Sequence, residues 1–310
     1  MQCLKQIVLN RGLITMQTIL IAGGSGLIGT DLKNYLIRNG YQVSILSRRP
    51  TNEAKNIYHW DIPTGYIDPN AFTDVNHVIN LAGSSIIGGR WTPKRKQILT
   101  DSRVQSTQLL VDTILEHDHP IQHFIQASAM GYYGDQQDTH VTEETPQGID
   151  FMAKLCGAWE NTTNPLKSHT HVTILRIGLY LSKNGGVYSI LSRLARFKIL
   201  SGFGNGKMWT AYTHHSEFAQ LIQQIMAGKL KPDIYNAVGS EPFQMKKLIQ
   251  TINRKYKSPN WLPNVPAWIL RFILGEASAT LLNSYRVQAP KLTPKQFHQF
   301  TSIEDAIQSL

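Results

Sequence analysis

The stretch Thr18-Ile19-Leu20-Ile21-Ala22-Gly23-Gly24-Ser25-Gly26-Leu27-Ile28-Gly29 decides the reading of the whole chain. Apolar and β-branched residues predict a short strand, a glycine-rich turn follows, and a helix runs on through Asp31-Leu32-Lys33-Asn34-Tyr35-Leu36. Gly23, Gly26 and Gly29 give the spacing GxxGxxG. In a dinucleotide site one such glycine permits the tight turn, one lets the backbone approach a pyrophosphate, and one brings the helix close to its strand. The helix start then offers free N–H groups and the positive end of a dipole to phosphates. Glycine-rich turns also occur without ligands; the strand before this one and the helix after it make the case for nucleotide binding. Gly23, Ser25, Gly26, Leu27, Ile28 and Gly29 are the expected contacts.

Downstream, Tyr41 to Leu46 predicts a second strand that stops at Ser47-Arg48-Arg49-Pro50. An NAD site would place a carboxylate here for the ribose 2′-hydroxyl, whereas this chain carries two arginines. Cationic forks suit a 2′-phosphate, so Ser47, Arg48 and Arg49 point to NADP(H), against the alternative that they are plain loop residues. A third strand, Ile57 to Asp61, ends in an acid that either approaches the adenine or caps a turn. A fourth, His77 to Gly83, ends in Leu81-Ala82-Gly83, small enough at its end for a cofactor to lie against. A helical pattern over 92–117, a strand over 121–128, a helix from about Phe151 to Lys167 and a strand over 172–176 complete the alternation. The fold class is therefore α/β: a Rossmann-type doubly wound parallel sheet with a smaller, mixed C-terminal substrate lobe.

Bulk properties narrow the class. The 310 residues, 42% of them hydrophobic, suffice for one large α/β domain with an appendage. No run approaches the roughly 18 apolar residues that span a bilayer; the longest, Trp268 to Leu274, is broken by Arg271. Cys3 and Cys156 make no disulfide framework and no zinc site, which suits a cytoplasmic protein. The net charge of +10 suits phosphate-bearing ligands, but it is scattered. The one tight run, Lys94-Arg95-Lys96, reads as a solvated helix face rather than a nucleic-acid contact. Residues 1–15 precede a second methionine, Met16, and lack the features of a secretory signal, so they read as an extraneous arm with translation starting at Met16. The expected organisation is a dinucleotide-binding domain over 16–180, a substrate lobe over 181–258 interleaved with the last sheet elements, and an appendage over 259–310 punctuated by Pro263, Pro266, Pro290 and Pro294.

Assembled, the chain resembles the extended short-chain dehydrogenases, and within them the atypical epimerase-family branch. The carriers are residues 22–29, Asn80-Leu81-Ala82-Gly83, Arg90-Trp91-Thr92, Ser102-Arg103-Val104, Ser128 to Asp135, Lys154 to Glu160 and Leu175-Arg176-Ile177-Gly178. The C-terminal part carries it through Gly275-Glu276, Arg286-Val287, Pro290-Lys291 and Ile303 to Ala306. The resemblance implies a Rossmann domain for NADP(H) and no particular substrate.

Relatives of this kind use a Ser or Thr with a Tyr and a Lys four residues apart on one helix, where the lysine lowers the tyrosine pKa and the phenolate moves the proton. Here Lys154 stands at the lysine position, but Asp150 stands where the tyrosine would be. Tyr132 or Tyr133, with Ser128 as partner, are the substitutes, against the alternative that they line the pocket and that Lys154 is a solvated helix residue. Arg103 takes the place of the asparagine behind the nicotinamide; it reads as a cofactor contact or as one half of a buried pair with Glu160. His214, in the family-matched segment after Gly204-Asn205-Gly206, reads as structural, and no metal site is expected. Two functions compete. One is an NADP(H)-dependent oxidoreductase or epimerase acting on a small polar, sugar-nucleotide-like metabolite. The other is a catalytically silent NADP(H)-binding sensor or regulator, linked through the branch to cell division. No membrane or nucleic-acid partner is expected, and the oligomeric state is left open.

Overall fold

The computed structural model describes residues 17–293, 297 and 299–310. The arm 1–15, Met16 and Pro294 fall outside them. Strand β1 (Thr18–Ala22) is buried along its whole length, which fits a strand flanked on both edges and covered on both faces. It lies between β2 (Gln42–Ser47) and β5 (Val75–Asn80), with β3 (Ile57–Asp61) and β4 (Tyr66–Ile67) beyond β2. On the other side follow β6 (His123–Ala129), β7 (His171–Ile177) and β8 (Ile234–Ala237), giving the order β8-β7-β6-β5-β1-β2-β3-β4. All pairings are parallel except β3–β4. Because the chain leaves β1 toward β2 on one side and reaches β5 on the other, strand order reverses at β1, and ligands of such sheets sit outside the carboxyl ends at that reversal.

Helix α1 (Leu27–Arg38) buries Leu32 and Leu36 against one face of the sheet, in a core with Ile19, Ile21, Ile45 and Ile79. Helix α2 (Pro93–Glu116) covers the opposite face with Leu110, Val111 and Ile114 packed on Leu20, Val78 and Phe124. Helix α3 (Phe151–Asn161) lies beside α2, its Trp159 indole donating to Thr107 Oγ1 at 3.0 Å. The expected long helix here is shorter: it ends at Asn161, and a 3₁₀ turn over Asn164–Ser168 follows, because Pro165 cannot continue the α-helical bonding.

Among the described residues, the other helices of seven residues or more are α4 (Gly186–Arg196), α5 (His215–Met226), α6 (Met245–Lys255), α7 (Ala267–Leu274) and α8 (Ile303–Ser309). Helix α5 joins the sheet core through Phe218, Leu221 and Ile222. A separate core unites α4, α6 and α8 through Leu191, Leu248, Ile252, Ile303 and Ile307. The last helix of the chain is thus part of the lobe's own core. Likewise Arg286–Val287 returns to pair with His140–Val141. Helix α4 ends at Arg196, and two residues on Lys198 takes a left-handed φ of 61°, so Ile199 lies beyond it.

At the amino ends of the strands His77, His123 and His171 stand in register on β5, β6 and β7. His123 Nε2 meets Thr173 Oγ1 at 2.8 Å, but both ring nitrogens of buried His77 lack a partner among the described residues. Burial holds the His77 imidazole down at about 4, from an ordinary 6.5. The unfolded chain therefore binds the extra proton in that window, so stability is full above 6.5 and is lost as pH falls toward 4. His77→Phe is expected to remove up to about 2 kcal/mol of the loss between neutral pH and pH ~5. Urea unfolding at both pH values checks it; an unchanged acid limb would refute the assignment.

Candidate active site

The β1–α1 turn is built of backbone. Gly23 has φ 81°, and a side chain on it would press within 2.7 Å of the Leu81 backbone. A Cβ on Gly29 would collide with the Gly23 carbonyl oxygen, so the helix can sit this close to the turn only with glycine there. Gly26 caps α1 with no side-chain hydrogen bond, and the first turn holds no acid. The leading N–H groups of the helix are thus left for an anion. Ser25 and Gly26 are exposed and Ile28 half-buried, while Leu27 lies against Gly185 and Gly186 of the lobe.

At the end of β2, Ser47 Oγ accepts from the Arg49 N–H at 3.1 Å and shapes the turn. The Arg48 and Arg49 side chains are exposed, with no hydrogen-bond partner among the described residues. Asp61 takes the turn-capping alternative: its carboxylate accepts from Thr64 Oγ1 at 2.9 Å. Leu81 N–H still bonds the Ala22 carbonyl at 2.9 Å, and buried Asn80 holds Ala82 N–H at 3.1 Å, so the chain leaves β5 in a fixed direction. Gly83 faces Arg103, whose guanidinium would lie 3.0 Å from a Cβ on Gly83.

The Arg103 guanidinium donates to the Leu99 and Ser84 carbonyls, both at 3.1 Å, and lies 5.2 Å from the Trp159 ring centroid. The alternative pairing of Arg103 with Glu160 is overturned, because Glu160 belongs to Arg176. Arg176, 2% exposed, donates from Nε and Nη2 to the two Glu160 oxygens at 2.9 and 2.8 Å. Burial opposes its charge, and the Glu160 hydrogen bonds and charge outweigh that, so its pKa is held above the ordinary value. Ser128 donates to Glu160 Oε1 at 2.6 Å. Tyr133 donates to Asn236 at 2.6 Å and accepts from Arg176 at 3.0 Å, and burial pushes its phenol up to about 12.

Ser128 and Tyr133 are thus buried, 2% and 0% exposed, with their hydroxyls bonded inside this network. Strand alternation turns the neighbour of Ser128 the other way, but that residue is Ala129, with no proton to give. Asp150 is the N-cap of α3, accepting from Ala153 N–H at 2.8 Å and from Asn283 at 3.1 Å. Lys154 is exposed on that helix with no phenol beside it. Tyr132 alone of the four is left half-buried with a hydroxyl unbonded among the described residues; its ring rests 3.5 Å from the Arg176 guanidinium. Sequence reading gave Arg176 no role; the available signal was one arginine inside the apolar run Val172-Thr173-Ile174-Leu175-Arg176-Ile177. His214 caps α5 and meets Ser309 Oγ at 3.1 Å, and burial keeps it neutral, near 3. Buried Cys156 has its thiol pushed up to about 12.

With this geometry in hand, the comparisons fall into place. The sequence model of the NAD dependent epimerase/dehydratase family matches residues 19–237. An epimerase family protein of Mycobacterium leprae is 32% identical over 259 residues, covering 83% of each chain. The chloroplastic SDR39U1 homolog of Arabidopsis thaliana is 26% identical over 308 residues, 96% of this chain and 87% of that one. Among solved structures, human epimerase family protein SDR39U1, crystallised with NADPH, superposes with a TM-score of 0.85 at 22% identity, over 94% of this chain and 98% of that one. A nucleoside-diphosphate sugar epimerase of Corynebacterium glutamicum gives 0.74 at 24%, over 94% and 57%. This chain belongs to the NAD-dependent epimerase/dehydratase family.

The Glu160–Arg176 pair makes a stability prediction. Removing one partner leaves the other charge buried alone, so Glu160→Met should cost about 3–5 kcal/mol. Adding Arg176→Met to it should recover much of that loss. Chemical denaturation of the two single variants and the double variant measures this; simple additivity would refute it.

Proposed function

We propose that the protein binds NADP(H) across the carboxyl ends of β1, β2 and β5 and transfers hydride between it and an alcohol or carbonyl group of a small molecule, as an oxidoreductase or an epimerase. The observation that carries the cofactor is the pairing of an uncapped helix start at Gly26 with two uncommitted arginines, Arg48 and Arg49, where an NAD site would have a carboxylate. The NADPH in the human relative's structure supports the same reading. The residues present fit the group: backbone N–H donors and the Gly29 close approach for the diphosphate, arginine forks for the extra phosphate, and the surface of Leu81, Ala82 and Gly83 for the ribose.

When bound, the nicotinamide supplies the hydride. The protein's own part is to hold the substrate oxygen and move its proton, and Tyr132 is the side chain left to do so. Arg103, fixed by two carbonyls, holds the Gly83–Ser84 backbone and so the floor of the cleft. A second reading, a nucleotide-binding sensor without turnover, is favoured by the use of Asp150, Ser128 and Tyr133 in structure rather than in proton transfer.

Fluorescence titration with NADPH and NADH tests the cofactor. Arg48→Asp should weaken NADPH by about 1.5–3 kcal/mol, roughly 10- to 150-fold, and leave NADH nearly unchanged. Equal losses would refute the assignment of the 2′-phosphate. Tyr132→Phe should lower turnover by about 100-fold or more while NADPH still binds, whereas full retention would move proton transfer elsewhere.

A further inference from the structure

Where the chain leaves Gly83 it enters the loop 84–92, on the side of β1 opposite the arginines of β2. A dinucleotide with its diphosphate at the β1–α1 turn and its 2′-phosphate at β2 must extend its reactive half this way, over β5 and β6. The rim at this end is apolar and open. Ile87 is 50% exposed, Phe272 76% and Ile273 59%.

Contacts join these residues into one wall. Trp91 meets Phe151 edge-on at 5.4 Å, and its indole donates to the Ile86 carbonyl at 3.3 Å. Arg90 donates to the Phe272 and Ile273 carbonyls at 2.5 and 3.1 Å, tying the end of α7 to the loop. Behind the rim, half-buried Ile86, Phe151 and Leu274 pack with Trp91, Leu99 and Met152.

Four of the cations here, Arg90, Arg95, Lys96 and Arg103, are committed to protein partners. Arg90 is spent on α7, and Arg95 donates to the Ser85 carbonyl. Lys96 is paired with Glu276 at 2.5 Å and lies 5.0 Å from the Phe151 ring centroid. Arg103 is held by two backbone carbonyls. The cations on these elements without a protein partner, Lys94, Lys154 and Arg271, are all exposed. A diphosphate needs converging charged donors, and these three stand apart on α2, α3 and α7.

We infer that the substrate carries an apolar body, an alkyl chain or aromatic ring system, bedded on this rim beside its reacting oxygen. The inference rests on the hydride-transfer reading and narrows its substrate, away from a nucleoside diphosphate sugar. The loop that carries Ile87 runs directly on from Gly83, beside the cofactor cleft, so the occupant argued for is the substrate and not a second copy of the chain. In reduction of an aldehyde the carbonyl carbon gains the hydride and the oxygen gains a proton, leaving a primary alcohol and the oxidised dinucleotide.

The test uses the full chain saturated with NADPH. Thermal shift and tryptophan fluorescence are read against butanal, octanal, dodecanal and UDP-glucose, with NADPH absorbance followed in parallel. Affinity should rise roughly two- to four-fold per added methylene, and UDP-glucose should give no shift. Ile87→Asp and Phe272→Asp should flatten that chain-length dependence with NADPH affinity unchanged. NADPH binding with flat affinity across the aldehydes, a shift with UDP-glucose, or variants that change only the oligomeric state would each overturn the substrate class. Failure of the wild type to bind NADPH would instead sink the hydride-transfer reading, and this inference with it.

Discussion

A carboxylate and a guanidinium buried together, Glu160 and Arg176, set the terms for the β6–β8 half of the sheet. Each would be costly inside the protein alone, so each fixes the other, and together they fix what surrounds them. Glu160 belongs to α3 and Arg176 to β7; Ser128 at the end of β6, Tyr133 in the turn after it and Asn236 on β8 complete the bonding. Three adjacent strands and a covering helix are thereby held in register at their carboxyl ends, where α/β sheets do chemistry. The same bonds occupy the Ser128 and Tyr133 hydroxyls. A phenol that donates to Asn236 while accepting from Arg176 has its position determined and its proton engaged.

The two halves of the cleft are consequently made of different materials. The half around β1 and β2 is backbone: a positive φ at Gly23, a close approach at Gly29 and an uncapped helix start. It requires the absence of side chains, and it works for any sequence that supplies glycines there. The half around β6 and α3 is made of side chains whose directions depend on partners far away along the chain, such as Asn283 on Asp150.

That difference explains what could be read from the sequence. The strand, turn and helix of residues 18–38 are local, and so are the arginines ending β2, so order, type and approximate bounds follow from spacing alone. Which polar side chains are free at the end of β6 was not legible, because facing depends on alternation and on pairing at long range. Ser128 and Ala129 are neighbours, and one residue of register decides which of them meets the cleft. Asp150 at a position four before a lysine looks like a catalytic substitution; only its bond to Ala153 N–H shows a helix cap. Arg176 is one letter in an apolar strand, and its partner sits 16 residues away on another element. The end of the chain depends on contacts of the same kind: its prolines suggest an appendage, and Ile303 and Ile307 pack in one core with Leu191, Leu248 and Ile252.

The cofactor cradle and the lobe are also joined directly. Asp31, on the buried side of α1, accepts from Asn184 at 2.7 Å and from the Tyr180 hydroxyl at 3.3 Å. Leu27, in the first turn of the same helix, packs on Gly185 and Gly186, where a Cβ would stand within 3.1 and 2.9 Å of its methyl groups. The helix turn that presents N–H groups to a phosphate is thus the turn that supports the start of α4. Close-packed contacts of this kind move together or break, so a shift of α1 toward a bound anion is carried to 180–186. The lobe is therefore seated, through Asp31 and Leu27, on the element that would hold the diphosphate.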